Sequence, residues 1–306
     1  MNNKNNLKQK IAVIGAGAVG STIAYTLMVK NLIAEILLID INKEKEEGEV
    51  LDIDDCLSFS ETSTVKIGNY KDASDADIII LTAGVAQKVG ESRLDLVTKN
   101  KTIAASILKE IGEIKSSCVF IVVSNPVDII TYLVQENSNL PKNQVFGTGM
   151  GLDSARLRSS LARHFDIDSK EVDGFTLGEH GDSEFVAWST VSVGGKKVDD
   201  MLKQDQKDEI EKSVKNEAYE IIKRKGATYY GIAMVTADIV EAILLDQNKI
   251  IPVSHRLDNW NGVSGVCLGA PAVIGSTGVI KSWPLELIPA EKDKLQKSAE
   301  VIKQYL

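Results

Sequence analysis

Cysteine is scarce in this sequence: Cys56, Cys118 and Cys267 are the only three among 306 residues. Odd in number, widely spaced and without a Cys-x-x-Cys pair, they specify neither a disulfide framework nor a zinc cage. A chain this long needs neither to build a core, and a reducing compartment is the matching expectation. Long apolar runs are also missing. No stretch reaches the roughly 18 residues of a membrane span, and the opening MNNKNNLKQK is polar and basic where a secretory signal needs an apolar centre. Positive charge is in deficit, with 35 Lys and Arg against 43 Asp and Glu and a formal net charge of -8. The balance provides no broad attraction for nucleic acid or an anionic membrane surface. A cytoplasmic protein with no nucleic-acid or membrane partner is therefore expected.

What remains is an ordinary globular composition, 43% hydrophobic and 25% charged, which argues against disorder. At roughly 150 residues per domain the length predicts two domains. The first half alternates short Val- and Ile-rich runs with amphipathic stretches. That pattern predicts parallel strands at 11–15, 36–40, 65–68, 78–82, 118–124 and 144–147, with crossover helices that include 20–30 and 92–114. Beyond Gly149 the pattern becomes mixed. Helices are expected at 152–164, 203–224, 228–245 and 290–305, and strands at 172–178, 187–193, 250–253 and 265–269, with Gly194-Gly195 as a hairpin signal. No Pro/Ser-rich linker, low-complexity tract or repeat separates the halves. They should share a broad interface with a site in the cleft between them.

The segment Gly15-Ala16-Gly17-Ala18-Val19-Gly20 fits G-x-G-x-x-G between an apolar strand and a helix. The first glycine permits a tight turn, the second lets backbone approach a pyrophosphate, and the third allows close packing. The following helix N-terminus offers free N–H groups and a positive dipole end to phosphate. Asp40 ends the next strand, about 20 residues past the third glycine, where a carboxylate can bind ribose hydroxyls. That acid disfavours a 2′-phosphate, so NAD is expected rather than NADP. A purely structural glycine turn is the rival reading.

Histidine is as rare as cysteine. His180 sits in Leu177-Gly178-Glu179-His180-Gly181-Asp182-Ser183, a small polar context after an apolar strand. Imidazole exchanges protons near neutral pH, and a carboxylate partner would orient the ring and stabilise its charge. Asp153 is one candidate partner. Arg156, three residues on, shares its face on a helix and can grip a carboxylate with two parallel hydrogen bonds. Each also has a plainer reading: a helix cap for Asp153, a surface charge for Arg156 and a loop position for His180. His164 and His255 read as packing or structural residues.

The ordered segments IAVIGAGAVGS, LLIDIN, TAGVAQKVGESRLDLV, VVSNPVDI, GMGLDSARLR, GEHGDS and GATYYGIA resemble the L-lactate/malate dehydrogenase family through nearly the whole chain. The resemblance implies an α/β protein: an N-terminal Rossmann domain with a doubly wound parallel sheet at 1–149, and a C-terminal mixed α+β substrate domain at 150–306. It implies hydride transfer between NAD and C2 of a 2-hydroxy or 2-oxo acid, with His180 as acid/base, Asp153 as its partner and Arg156 as carboxylate clamp. It makes Gly15, Ala16, Gly17, Ala18, Val19, Gly20, Asp40 and Asn125 cofactor contacts. It reads 84–97 as a mobile loop and helix carrying Arg93, which would polarise the substrate carbonyl as the loop closes and excludes water. Asn125 and Thr228 would also line the substrate site; the plainer role of Asn125 is an Asx turn before Pro126, and a helix N-cap explains Thr228 equally well.

Gln87 separates members of the family. An oxaloacetate enzyme is expected to place Arg there to pair with a second carboxylate, whereas neutral Gln87 favours pyruvate and (S)-lactate. Malate or another L-2-hydroxy acid is the alternative within the class. A non-catalytic NAD-binding redox sensor is the alternative outside it, but would have no need of Arg93, Asp153, Arg156 and His180 together. The resemblance further implies a homotetramer, with a dimer as the conservative form; no metal is expected. Some bacterial relatives respond to fructose 1,6-bisphosphate through an Arg and a His. Here Arg158 matches the Arg while Asp173 stands at the His position, and its carboxylate should repel phosphate. Weak or absent activation is expected.

Overall fold

The computed structural model describes residues 9–32, 34–60, 64–85 and 93–306. Six short strands carry the apolar runs: β1 (Gln9–Ile14), β2 (Ala34–Ile39), β3 (Thr64–Ile67), β4 (Ile78–Leu81), β5 (Val119–Val122) and β6 (Val145–Gly147). They pair in parallel in the order β6-β5-β4-β1-β2-β3. Between them run α1 (Ala18–Val29), α2 (Lys43–Asp55), α3 (Arg93–Ile111) and α4 (Val127–Asn137). Side chains alternate across a strand, so one run serves two cores. Ile11, Val13, Ile36, Leu38, Ile78 and Ile80 pack on the side of Ile23, Ala24 and Leu27 of α1. Ala12, Ile14, Leu37, Ile39, Ile79 and Leu81 face Ala104, Ile107 and Ile111 of α3 and Ile130 and Val134 of α4. This is why the strands read as unbroken hydrophobic runs. The chain leaves β1 in one direction along the sheet and returns through β4 in the other, and ligands bind beyond the carboxyl ends of strands at such a switch point.

The second half begins with α5 (Gly151–Phe165), followed by the short strands β7 (Val172–Asp173), β8 (Thr176–Leu177), β9 (Phe185–Val186), β10 (Ser192–Val193) and β11 (Lys196–Lys197). Then come α6 (Gln204–Lys225), α7 (Tyr230–Leu244), β12 (Lys249–Arg256), β13 (Cys267–Gly275), β14 (Gly278–Ser282) and α8 (Pro289–Lys303). Two expected strands need correction. The stretch 172–178 divides into β7, which pairs with β10, and β8, which pairs with β9. The stretch 187–193 contains the 3-10 turn Trp188–Thr190 before β10. Side-chain bonds hold that turn: Thr190 Oγ1 donates to Ala187 O at 2.8 Å, and Ser189 N and Oγ donate to Glu291 at 2.9 and 2.5 Å. The Gly194-Gly195 turn joins β10 to β11 as expected, both residues at positive φ.

The halves are joined through one sheet. Ser254 of β12 pairs antiparallel with Gly147 of β6, and β13 and β14 extend the sheet to nine strands. Helix α7 packs Ala233, Ala237 and Val240 into the core that holds α1. No described helix is long and apolar enough to cross a membrane.

Candidate active site and cofactor cleft

A cleft of about 520 Å³ opens at the ends of β1, β2 and β4, lined by Gly15, Gly17, Asp40, Thr82, Ala83 and Val85 among others. Gly15 adopts φ +109°, and a Cβ at Gly20 would stand 1.8 Å from the Gly15 carbonyl oxygen, so both glycines are required for the turn. At Gly17 a Cβ would meet nothing within 4 Å, which leaves the N-terminus of α1 open to the cleft. That terminus has no side-chain cap and no acid in its first turn. Asp40 holds the loop from the side: Ala16 N donates to its Oδ2 at 2.6 Å and Asn42 N to its Oδ1 at 2.8 Å. An uncapped helix end beside a fixed carboxylate fits a dinucleotide, pyrophosphate on the N–H groups and ribose hydroxyls on Asp40. Ala16, Ala18 and Val19 contribute backbone to the same turn.

The second feature forms on α5 and the loop after β8. Asp153, in the first turn of α5, is 2% exposed and does not cap the helix; the N-cap is Met150. Its Oδ2 lies 2.7 Å from His180 Nδ1, and Arg156 Nη1 donates to its Oδ1 at 2.9 Å. Arg156 is 6% exposed, so it is not a surface charge. The loop is pinned behind His180. Gly178, at φ +98°, exchanges backbone bonds with Gly269, Glu179 N donates to Ser298 Oγ at 2.6 Å, and His180 N donates to Asp128 Oδ2 at 2.9 Å. The imidazole is thus held with Nδ1 on a carboxylate, and among the described residues no hydrogen-bond partner stands at Nε2.

Burial opposes charge on His180. The adjacent Asp153 carboxylate, through its charge and hydrogen bond, outweighs that opposition together with Glu184 and Asp128, and lifts the pKa to about 9. Burial also resists ionisation of Asp153, but His180 and Arg156 hold its pKa below the usual carboxylate value. Glu184 is pushed the other way, to about 8, first by burial and then by repulsion from Asp153. At neutral pH the site therefore holds a charged imidazole, an ionised Asp153 and a protonated Glu184. Donor atoms of Asp153, His180 and Glu184 lie within 4.8 Å of one another, a metal-like spacing, but the cations serving Asp153 are His180 and Arg156.

Other expected residues take varied places. Asn125 is exposed at the end of β5 and precedes the cis-proline Pro126. Its carbonyl accepts from Asn100 Nδ2 at 2.7 Å, while Asn100 also exchanges bonds of 2.9 and 3.1 Å with the backbone of Val85. Buried Asn100 thereby ties the start of the 84–97 segment to the strand end. Thr228 lies half-buried between α6 and α7 and is not the N-cap, which is Tyr229. Gln87 lies outside the described residues; Arg93 opens α3, its side chain outside the description. His255 is 3% exposed, bonded to Val253 O and Ser282 Oγ, and burial depresses its pKa to about 4. His164 is exposed and stacks edge-on against Phe165. Sequence reasoning missed Asp128, Asn100 and Glu184; the only local signal was their position in polar breaks beside apolar runs.

A separate cleft of about 460 Å³ lies between α5 and β12 and includes Arg158, Lys170, Asp173, Asp238 and Lys249. Lys249 Nζ pairs with Asp238 at 2.7 Å, and both Asp238 and Asp173 attract the partly buried Arg158. Arg158 and Lys249 in this cleft already have carboxylate neighbours.

The family models for the lactate/malate dehydrogenase NAD binding domain and for the alpha/beta C-terminal domain match residues 9–147 and 151–306. An L-lactate dehydrogenase of Clostridium botulinum (strain 657 / Type Ba4) is 42% identical over 304 residues, covering 97% of this chain and 96% of that protein. One from Acetivibrio thermocellus is 42% identical over 311 residues, covering 99% and 98%. The solved structure of a lactate dehydrogenase from a Medee basin deep-sea metagenome superposes with a TM-score of 0.93 at 37% identity, covering 98% of each chain. That of a minor L-lactate dehydrogenase from Enterococcus mundtii, in its ligands-bound form, gives 0.93 at 42% identity, covering 97% of each. The chain belongs to the lactate/malate dehydrogenase family. It is an NAD-dependent oxidoreductase.

Proposed function

We propose that this chain is an L-lactate dehydrogenase that reversibly reduces pyruvate to (S)-lactate. The carrying observation is the buried chain of contacts from Arg156 through Asp153 to His180, in a protein whose other half holds a cleft that fits NAD. Bound NADH supplies the hydride that reaches substrate C2. Arg156 holds the substrate carboxylate by charge-assisted hydrogen bonds. His180, kept charged by Asp153, donates its proton to the carbonyl oxygen as that oxygen becomes negative, and takes it back during lactate oxidation. From the family pattern, Arg93 stabilises the same oxygen, Asn125 and Thr228 line the pocket, and neutral Gln87 leaves no partner for a second carboxylate. Residues 1–149 provide the cofactor half and 150–306 the substrate half, in a cytoplasmic homotetramer or, more conservatively, a dimer.

NADH oxidation measured side by side with pyruvate, oxaloacetate, phenylpyruvate and branched 2-oxo acids tests the reading. Pyruvate should give the highest kcat/KM. Preference for oxaloacetate would overturn the role of Gln87, and saturable NADH binding without turnover of any acid would indicate a non-catalytic protein. Adding fructose 1,6-bisphosphate should change the pyruvate rate little, because Asp173 and Asp238 already face Arg158.

The pH dependence has a definite sign. Reduction needs charged His180, so kcat/KM for pyruvate should hold through neutral pH and fall as pH rises through about 9. Lactate oxidation needs the neutral ring and should rise through the same interval. A reduction rate that increased above that pH would contradict the acid role of His180.

A further inference from the structure

Arg156 has more than one anionic neighbour. Asp153 takes Nη1 at 2.9 Å, while on the other side Glu217 Oε1 stands 3.7 Å from Nε. The latter is an ion-pair distance without a hydrogen bond. Glu217 comes from α6, one turn after buried Val214, and its side chain is 36% exposed against 6% for Arg156. A partly exposed carboxylate therefore stands beside the buried guanidinium, on its Nε side. Among the described residues Glu217 makes no closer polar contact than this one.

We propose that Glu217 is a specificity-determining residue: it competes with the substrate carboxylate for Arg156 and repels any second anionic group. This inference rests on the clamp role given to Arg156 in the proposed function. A substrate carboxylate needs two parallel N–H donors, and with Asp153 holding Nη1 the Nε side is the one Glu217 approaches. Every anionic substrate must displace or screen that charge. A dicarboxylate brings a second negative charge towards the same carboxylate, so Glu217 discriminates in the same direction as neutral Gln87.

The test uses Glu217→Gln, Glu217→Asp and Glu217→Ala in the full-length chain. Calorimetric binding of oxamate, the amide isostere of pyruvate, to the protein–NADH complex reports on the clamp without turnover. Glu217→Gln should tighten oxamate binding and lower pyruvate KM by about two- to fivefold, the range for a partly exposed ion pair. The change should fall in KM rather than kcat. Oxaloacetate KM should fall further than pyruvate KM, narrowing the preference between them, and Glu217→Asp should stay near the wild type. Glu217→Ala repeats the measurement if the glutamine variant folds poorly. Weaker or unchanged oxamate binding, or equal shifts for both acids, overturns the proposal. Tight oxamate binding by a wild type that turns over no 2-oxo acid would instead refute the proposed function while leaving the competition measurable.

Discussion

His180→Asn is expected to lower the rate of pyruvate reduction by about 10²–10⁴-fold, the usual contribution of a positioned general acid, while leaving NADH binding in place. The side chain is well placed for that role: Nδ1 is committed to Asp153 at 2.7 Å, the backbone N–H to Asp128 at 2.9 Å, and the preceding residues to Ser298 and Gly269. Asparagine keeps a polar group of similar reach but does not ionise, so it cannot deliver a proton as a general acid. The glycine turn and Asp40 lie in another part of the molecule, so NADH fluorescence should saturate as in the wild type. Turnover within a few-fold of wild type would remove His180 from the mechanism. Loss of NADH binding in parallel would mean that the substitution had disturbed the fold.

Asp153→Asn should be nearly as damaging, by about tenfold to a thousandfold, and by a different route. Burial alone would depress the His180 pKa, and Asp153 is the largest influence that reverses this. Without its charge, the pKa should fall from about 9 towards or below the ordinary 6.5. The alkaline limit of pyruvate reduction should move with it. Glu184, relieved of repulsion from Asp153, ionises more easily and returns part of the lost charge. It does not replace the hydrogen bond that orients the ring, so the loss of rate should exceed the loss of imidazole charge. Stability should follow the same linkage. A raised histidine pKa contributes stability that is fully present below 6.5 and is lost as pH rises through about 9. Thermal scans across that interval should show Tm falling more steeply for the wild type than for the variant. An unchanged pH profile in Asp153→Asn would disprove the electrostatic role.

Periodicity located β1 to β6 to within a residue or two at most ends, because strands buried on both faces are written as continuous apolar runs. It served less well where side chains bond to nearby backbone. Trp188–Thr190 has the apolar content of a strand but is held as a turn by Thr190 and by Glu291 from α8, 102 residues away in sequence. The site divides similarly. Glycine spacing and the acid at Asp40 are local, since the phosphate turn is made by consecutive residues, and they were legible with their chemistry. The spacing of Asp153 and Arg156 was equally local, but that the pair is buried and that His180 meets it is a property of packing.

The sequence by itself determined the residue types available for chemistry, the parallel-sheet class and the dinucleotide turn, because each depends on contacts within a few residues or on the period of a single element. Only the tertiary structure decided which of three histidines meets a buried carboxylate. It also decided that Asp128 and Asn100 hold the loops in place and that Glu217 stands beside Arg156. Those contacts join residues 15 to 61 positions apart. No local propensity encodes them, because they arise when β8, α3, α4, α5 and α6 are brought together around the extended sheet.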